Sequence, residues 1–389
     1  MEWLELATRW LHVIAGIAWV GTSFYFIRLN AVLDPSDAPE VDGEAWEVHG
    51  GGFYRIVKYR VAPGAIPERL HWFKWEAYAT WLSGASLMVL VYYMGAEAFL
   101  LDRNVADIGP RTGIAIGAGS VIGGWLLYEA LCRTPVLKRP ALFAAVGLAL
   151  ATGVAWALSE WISGRAAYMH VGALVGTVMA ANVFFVIIPA HHRLVEAVEA
   201  GREPDARKGE YAARRSLHNN YLALPVVFVM ISNHYPMTYN HPQGWLILGA
   251  LGLIGGTVRH YYNLRHAGCH RPWLLAAAAA GLVAVAVAVA LGTPGPRAAG
   301  AEAGPVELAR VREVIAARCA SCHSAHPTSE IFTAAPAGIA FDTEAEIVDR
   351  AERIHAVVVE NRVMPLGNLT GMTEEERELV GRWARAAAP

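Results

Sequence analysis

The chain is short of charge. Only 17% of its 389 residues are Asp, Glu, Lys or Arg, against about 25% in ordinary soluble domains. Because 55% are hydrophobic, the apolar surplus is expected in a bilayer. Cysteine is scarce too. Four are present, and Cys132 and Cys269 fall at predicted cytoplasmic helix ends, where a disulfide is not expected. There is no excess of basic residues, since the net charge is -2, so nothing points to nucleic acid. The N-terminus has no basic stretch followed by a small-residue cleavage site, so the first apolar helix is expected to be retained. A glycine run, Gly50-Gly51-Gly52, lacks the Lys-Ser/Thr ending of a phosphate loop.

Long apolar runs are plentiful. Stretches of about 20 such residues mark membrane-crossing helices. Eight are expected, at 4–27, 72–94, 112–131, 141–161, 167–188, 217–234, 244–262 and 273–291; the sixth is short and carries Pro225, a candidate break. Alternate loops concentrate Lys and Arg, as in Arg55, Lys58 and Arg60, in Lys138 and Arg139, and in Arg207, Lys208, Arg214 and Arg215. That asymmetry puts those loops in the cytoplasm and both termini outside. Paired features recur in order through the two halves: His12 and His170, His71 and His218, Ile122-Gly123-Gly124 and Ile254-Gly255-Gly256, Arg139-Pro140 and Arg271-Pro272. The expected fold is all-α, a polytopic bundle with a tandem four-helix repeat over 1–291. A Gly/Pro/Ala linker over 292–304 then leads to a soluble tail at 305–389. Between the first two spans, the alternation Tyr54-Arg55-Ile56-Val57-Lys58-Tyr59 suits a small hairpin.

The tail holds the most specific motif, Cys319-Ala320-Ser321-Cys322-His323. Cys-x-x-Cys-His is the spacing of covalent haem c attachment. The two thiols form thioethers and His323 reaches the iron. A redox disulfide would not need His323, and a zinc site would need two further ligands. Met364, followed by Pro365, is the expected sixth ligand, since a thioether there raises the potential; Met372 and His355 are alternatives. An amphipathic helix at 306–318 and capping boxes at Thr343/Glu346 and Thr373/Glu376 give the helices of a small class I-like cytochrome c.

Twelve of the fifteen histidines precede residue 291, and ionisable groups at membrane depth are functional candidates by default. His12 and His170 are the candidate ligands of a haem b; backbone-bonded histidines are the alternative. His71, Trp75 and Tyr78 share one face of the second span, with Glu76 beside it as a proton acceptor and His218 as its repeat-related counterpart. A belt of interfacial aromatics is the competing reading of that face. Arg28, Arg259 and His260, at the inner ends of the first and seventh spans, are candidate anion contacts, although such residues often only snorkel.

These residues resemble the bacterial integral-membrane urate oxidases (urate hydroxylases) that carry a C-terminal cytochrome c. The likeness rests on His49-Gly50-Gly51-Gly52-Phe53-Tyr54, on the stretch from Trp72 to Trp81, on Ser232-Asn233-His234-Tyr235-Pro236, and on the Cys319/Cys322/His323 motif with Met364-Pro365. The resemblance implies a cytochrome-c-linked oxidoreductase of the bacterial inner membrane, with its cytochrome in the periplasm. It implies oxidation of urate to 5-hydroxyisourate, with electrons going to a terminal oxidase or soluble cytochrome and not to peroxide. Catalytic roles are then expected for Glu76, His71 and His218, and substrate contacts for Trp75, Tyr78 and Arg259. The first span, with His12 before Gly16-Ile17-Ala18-Trp19, is also similar to that of four-helix membrane protoporphyrinogen oxidases, which bind haem b there. A quinol-linked electron-transfer subunit, or a transporter with an appended cytochrome, remains the alternative.

Overall fold

The computed structural model describes residues 2–292 and 306–387, so the expected linker lies outside the described residues except for Gly292. Helix α1 (Glu2–Ala31) is followed by an antiparallel hairpin, β1 (Val41–His49) and β2 (Gly52–Tyr59). Gly50 and Gly51 make its turn at φ 58° and 82°, a backbone region open chiefly to glycine. This hairpin is the only sheet among the described residues.

The bundle continues through α2 (Trp75–Leu87), α3 (Pro110–Leu131), α4 (Pro140–Ser159), α5 (Gly164–Ala181), α6 (Ile188–Glu199) and α7 (Ala206–Ser232). The short α8 (Pro236–Tyr239), α9 (Gly244–His266) and α10 (Trp273–Gly292) complete it. Among the described residues, five stretches are long and apolar enough to cross a membrane: α1, α3, α4, the continuous helix 164–199 and α10. They are compatible with membrane insertion. In the 164–199 stretch, 56% of the apolar window is buried, against 6–11% in the other four. Helix α5 is therefore the central element, and the others turn mostly apolar side chains outward. Helix α1 packs on α2 and α5 on α7, while α3 packs on α4 and α9 on α10.

Two expectations are corrected. The second helix starts at Trp75, so His71 lies outside it and cannot share a helical face with Trp75 and Tyr78. Tertiary contacts hold the preceding residues off the helix: Trp72 stacks on His192 at 4.2 Å, and the Lys74 ammonium sits 5.9 Å from the Trp72 ring. The sixth span is not broken at Pro225. Helix α7 runs 27 residues through it, and the proline ring rests in space left by Gly255 of α9.

Two π-helical segments, Met88–Tyr93 after α2 and Asn182–Ile187 after α5, widen the helix at chemically notable places, as such bulges often do. The first presents Tyr92 and Tyr93 to His170. The second carries Asn182, whose amide joins the fully buried Arg215 (Nη1 to Oδ1, 3.1 Å) to the Tyr128 hydroxyl (3.0 Å). Arg215 also pairs with Glu129 at 2.8 Å.

The tail is a separate small core of α11 (Leu308–Arg318), α12 (Glu344–Val348), α13 (Ala351–His355) and α14 (Glu374–Ala387) around Val311, Ile315, Ile354, Val380 and Trp383. Both capping boxes form: Thr343 exchanges bonds with Glu346, and Thr373 with Glu376.

Candidate functional site

Near the end of the bundle that carries the basic loops, α7 and α9 meet along a polar seam. Asn220 Oδ1 accepts from Arg259 Nε and from Asn263 Nδ2, each at 2.9 Å. Tyr221 and His260 pair through OH and Nδ1 at 2.8 Å. Asn220 is fully buried and Arg259 is 4% exposed, and the guanidinium lies 3.9 Å from the ring centre of Phe24 on α1. Arg259 Nη2, Asn220 Nδ2 and Asn263 Oδ1 are all buried without a protein partner. A buried cation left without a counter-charge is strongly destabilising. The seam thus offers a guanidinium edge, an amide donor and an amide acceptor to a planar anion.

The residues expected from sequence lie mostly on other elements, with α2 packed on α1 and α5. Helix α1 touches α2, α7 and α9 alike. Glu76 Oε2 on α2 is buried and unpartnered. Trp75 is 68% exposed and meets Tyr78 edge-on at 5.9 Å; His71 is exposed and meets Phe73 edge-on at 4.7 Å. Those two therefore sit on the periphery. His218 lies on the far side of the seam, stacked on Phe143 (4.6 Å, 22°), with Nδ1 2.8 Å from the Tyr128 hydroxyl. It lines a cavity of about 950 Å³ between α3, α4, α5, α7 and α9 that does not include Arg259.

His12 and His170 do not share a space suited to a haem. His12 turns to α2, where Nδ1 contacts the Thr80 carbonyl (3.0 Å) and Ser83 Oγ (3.1 Å). His170 is fully buried, with Nδ1 on the Ala166 carbonyl (2.8 Å) and Nε2 3.3 Å from the Tyr93 hydroxyl. Its Nε2 would lie 2.3 Å from a Cβ at Gly117. With both nitrogens engaged and α3 against the ring, His170 has no face open to an iron.

The tail residues do fit a covalent haem. Cys319 and Cys322 are free thiols at the end of α11. Burial, reinforced by neighbouring Cys322, pushes the Cys319 thiol up to about 12. His323 Nδ1 meets the Ile339 carbonyl at 3.0 Å, a contact that orients the ring and leaves Nε2 for an iron. Met364 packs at the edge of the tail core, while Met372 is deep within it and His355 pairs with Glu360 at 3.2 Å.

Helix α14 positions both sides of this arrangement. Glu376 binds Arg318, the residue before Cys319, at 3.0 Å. Buried Arg377 donates to the carbonyls of Val358 and Met364, both at 2.7 Å. The Met364 loop is also where the tail meets the bundle. Asn240 donates to the Asn361 carbonyl (2.6 Å), Asn368 Nδ2 to Asn104 Oδ1 (2.9 Å), and the Arg103 amide to the Gly367 carbonyl (3.3 Å). Gly367, at φ 53°, has no room for a side chain: a Cβ would lie 2.7 Å from the Leu101 carbonyl.

Sequence reasoning missed Asn220, Asn263 and Phe24 at the seam and Arg377 in the tail. The tandem amides Asn219-Asn220 inside an apolar span were a usable signal; nothing local marked Arg377. A family model described as "Urate oxidase N-terminal" matches residues 1–290. No curated protein and no solved structure matches the chain.

Proposed function

The chain belongs to the urate oxidase N-terminal family, and from that premise we propose that it oxidises urate to 5-hydroxyisourate and passes the electrons through a haem c on its tail. Urate and water yield 5-hydroxyisourate, two electrons and two protons. The observation that carries the reading is Arg259: buried, without a counter-charge, its Nη2 unpartnered in a seam whose other free groups are one amide donor and one amide acceptor. Urate is a planar anion edged by carbonyls and ring N–H groups. The guanidinium and Asn220 Nδ2 suit its carbonyl edge, and Asn263 Oδ1 suits a ring N–H. Phe24 covers the guanidinium and keeps water from competing for it, which strengthens the contact.

Glu76 is assigned as proton acceptor, because its Oε2 is buried and engaged by nothing else. His218, across the seam, is set apart from the substrate by Asn220 and Tyr221. In the tail, Cys319 and Cys322 would hold a haem through thioether bonds, and His323 and Met364 would bind its iron. When bound there, haem c takes up single electrons and hands them on. Arg377 fixes the Met364 backbone, and the Asn104–Asn368 contact keeps that loop against the bundle. The Lys/Arg-rich loops support a reading with the seam on the cytoplasmic side and the tail in the bacterial periplasm, with a terminal oxidase or soluble cytochrome as acceptor.

The test is anaerobic: purified protein is mixed with urate and its haem absorbance followed. Urate-dependent reduction, with 5-hydroxyisourate and no peroxide as product, is expected. A haem that dithionite reduces and urate does not would overturn the reading.

A further inference from the structure

The cavity beside His218 is not used by the urate reading and stands independently of it. Its volume, about 950 Å³, is at the upper end of the range of about 300–1,000 Å³ typical of small-molecule and cofactor pockets. Its walls are almost wholly apolar, from α3, α4, α5, α7 and α9. Its basic end is different. There His218 and the exposed His260 line it, together with the exposed Lys138 and Arg214.

Both histidines are held by the same device. Tyr128 engages Nδ1 of His218 at 2.8 Å, and Tyr221 engages Nδ1 of His260 at 2.8 Å. In each ring Nε2 is the nitrogen left free. A hydroxyl accepts from Nδ1–H as readily as it donates to it, and such a partner on the second nitrogen is what an iron-ligating imidazole ordinarily has. The Tyr128 hydroxyl is itself anchored through Asn182 to Arg215, so the His218 ring cannot swing freely. Phe143 fixes its plane from one face.

We propose that this cavity is a non-covalent haem site, with His218 as an iron ligand, His260 as the second nitrogen donor, and Lys138 and Arg214 as partners for the two propionates. A large planar apolar ring fits the walls, an imidazole is available for its metal, and cations stand where its carboxylates leave the membrane. A quinone would use the walls and a histidine but would leave the paired cations unmatched. A phospholipid would use the cations but not the fixed imidazole. The site replaces the His12/His170 pair, whose second ring has no open face.

The experiment uses full-length protein purified from membranes. Acid–acetone separates extractable protohaem from haem bound through thioethers, and each is quantified per chain as the pyridine haemochrome. About one extractable haem per chain is expected. His218→Gly should lose at least nine-tenths of it while covalent haem stays, and added imidazole should restore the lost absorbance, a rescue that a merely misfolded variant would not show. His12→Ala should keep its extractable haem. The proposal is overturned if wild-type protein yields no extractable haem, if His218→Gly retains it, or if the loss follows His12 or His170 in place of His218. It is also overturned if the extract holds only quinone or phospholipid.

Discussion

Replacing Arg259 with glutamine separates a substrate contact from a structural one by the sign of two effects. The guanidinium is 4% exposed and no carboxylate faces it. In substrate-free protein its burial is a cost that one hydrogen bond to Asn220 only partly offsets. Arg259→Gln removes the charge and keeps an amide able to reach Asn220. The lost bond has a charged donor and is worth about 1.5–3 kcal/mol, while relief of an uncompensated buried cation is worth about 3–5 kcal/mol. The melting temperature should therefore hold or rise. Binding should move the other way. A hydrogen bond to a charged partner contributes about 1.5–3 kcal/mol, so two lost contacts to the urate anion amount to at least about 3 kcal/mol, or more than about 100-fold in Kd. Arg259→Lys, which retains charge but not the planar fork, should fall between. Urate titration under anaerobic conditions, followed by calorimetry, gives the affinity, and thermal unfolding in the same detergent gives the stability. A variant that binds urate within threefold of wild type and melts lower would show the arginine to be structural.

Other outcomes follow from the tail and its contact with the bundle. With Cys269 replaced by Ser, the pair Asn104→Cys and Asn368→Cys should be joined efficiently by a short thiol cross-linker, because their present side chains meet at 2.9 Å; urate-driven haem reduction should survive, and its loss would mean that the tail must leave this dock to work. Arg377→Met strands the Val358 and Met364 carbonyls, at about 1–3 kcal/mol each, and should weaken the thioether–iron band while covalent haem staining persists. Burial alone would raise the Glu376 carboxyl, but its bonds to Arg318 bring it below the usual range. The pair therefore adds stability above about pH 4.3, the unfolded value, and loses it as pH falls through the lower folded value. Melting of the tail should drop across that window, and Glu376→Gln should flatten the drop. Gly117→Val places a side chain 2.3 Å or less from His170 Nε2 and should cost about 1–3 kcal/mol by overpacking, read as a lower melting temperature.

What could be read from sequence was whatever depends on local pattern. Apolar run length gave the helices, the Gly50-Gly51 turn and the Tyr54–Tyr59 alternation gave the hairpin, and Ser/Thr–Glu spacing gave the two tail caps. The failures came where a distant side chain decides. Trp72 was assigned to a helix on hydropathy, but His192, 120 positions later in the chain, draws it away by stacking. Pro225 looked like a break because the residue opposite it, Gly255, is invisible to a local reading. The candidate site was half legible for the same reason. Arg259 stands out as a cation in an apolar span; that Asn220, Asn263 and Phe24 surround it depends on how α1, α7 and α9 pack. The repeat misled in one respect: equal spacing of His12 and His170 suggested equal use, whereas one turns to α2 and the other is enclosed by α3 and Tyr93.

On the two proposals, the α7–α9 seam would let one pair of helices serve two ligands. Consecutive residues on each helix point to different sides, so Asn220 and Arg259 face α1 while Tyr221 and His260 face the cavity. An anion on one side and a porphyrin on the other would be separated by little more than the width of two side-chain pairs. The chemistry demands such proximity, since a two-electron oxidation has to be drained by carriers that take one electron at a time. Arg259 Nε and Asn263 Nδ2 on Asn220, and the Tyr221–His260 pair, tie the two helices together across the seam. If urate bound instead at the opposite end of the bundle, under the docked tail, an unpaired arginine at the basic end would have no purpose, and Arg259→Gln would be silent in binding.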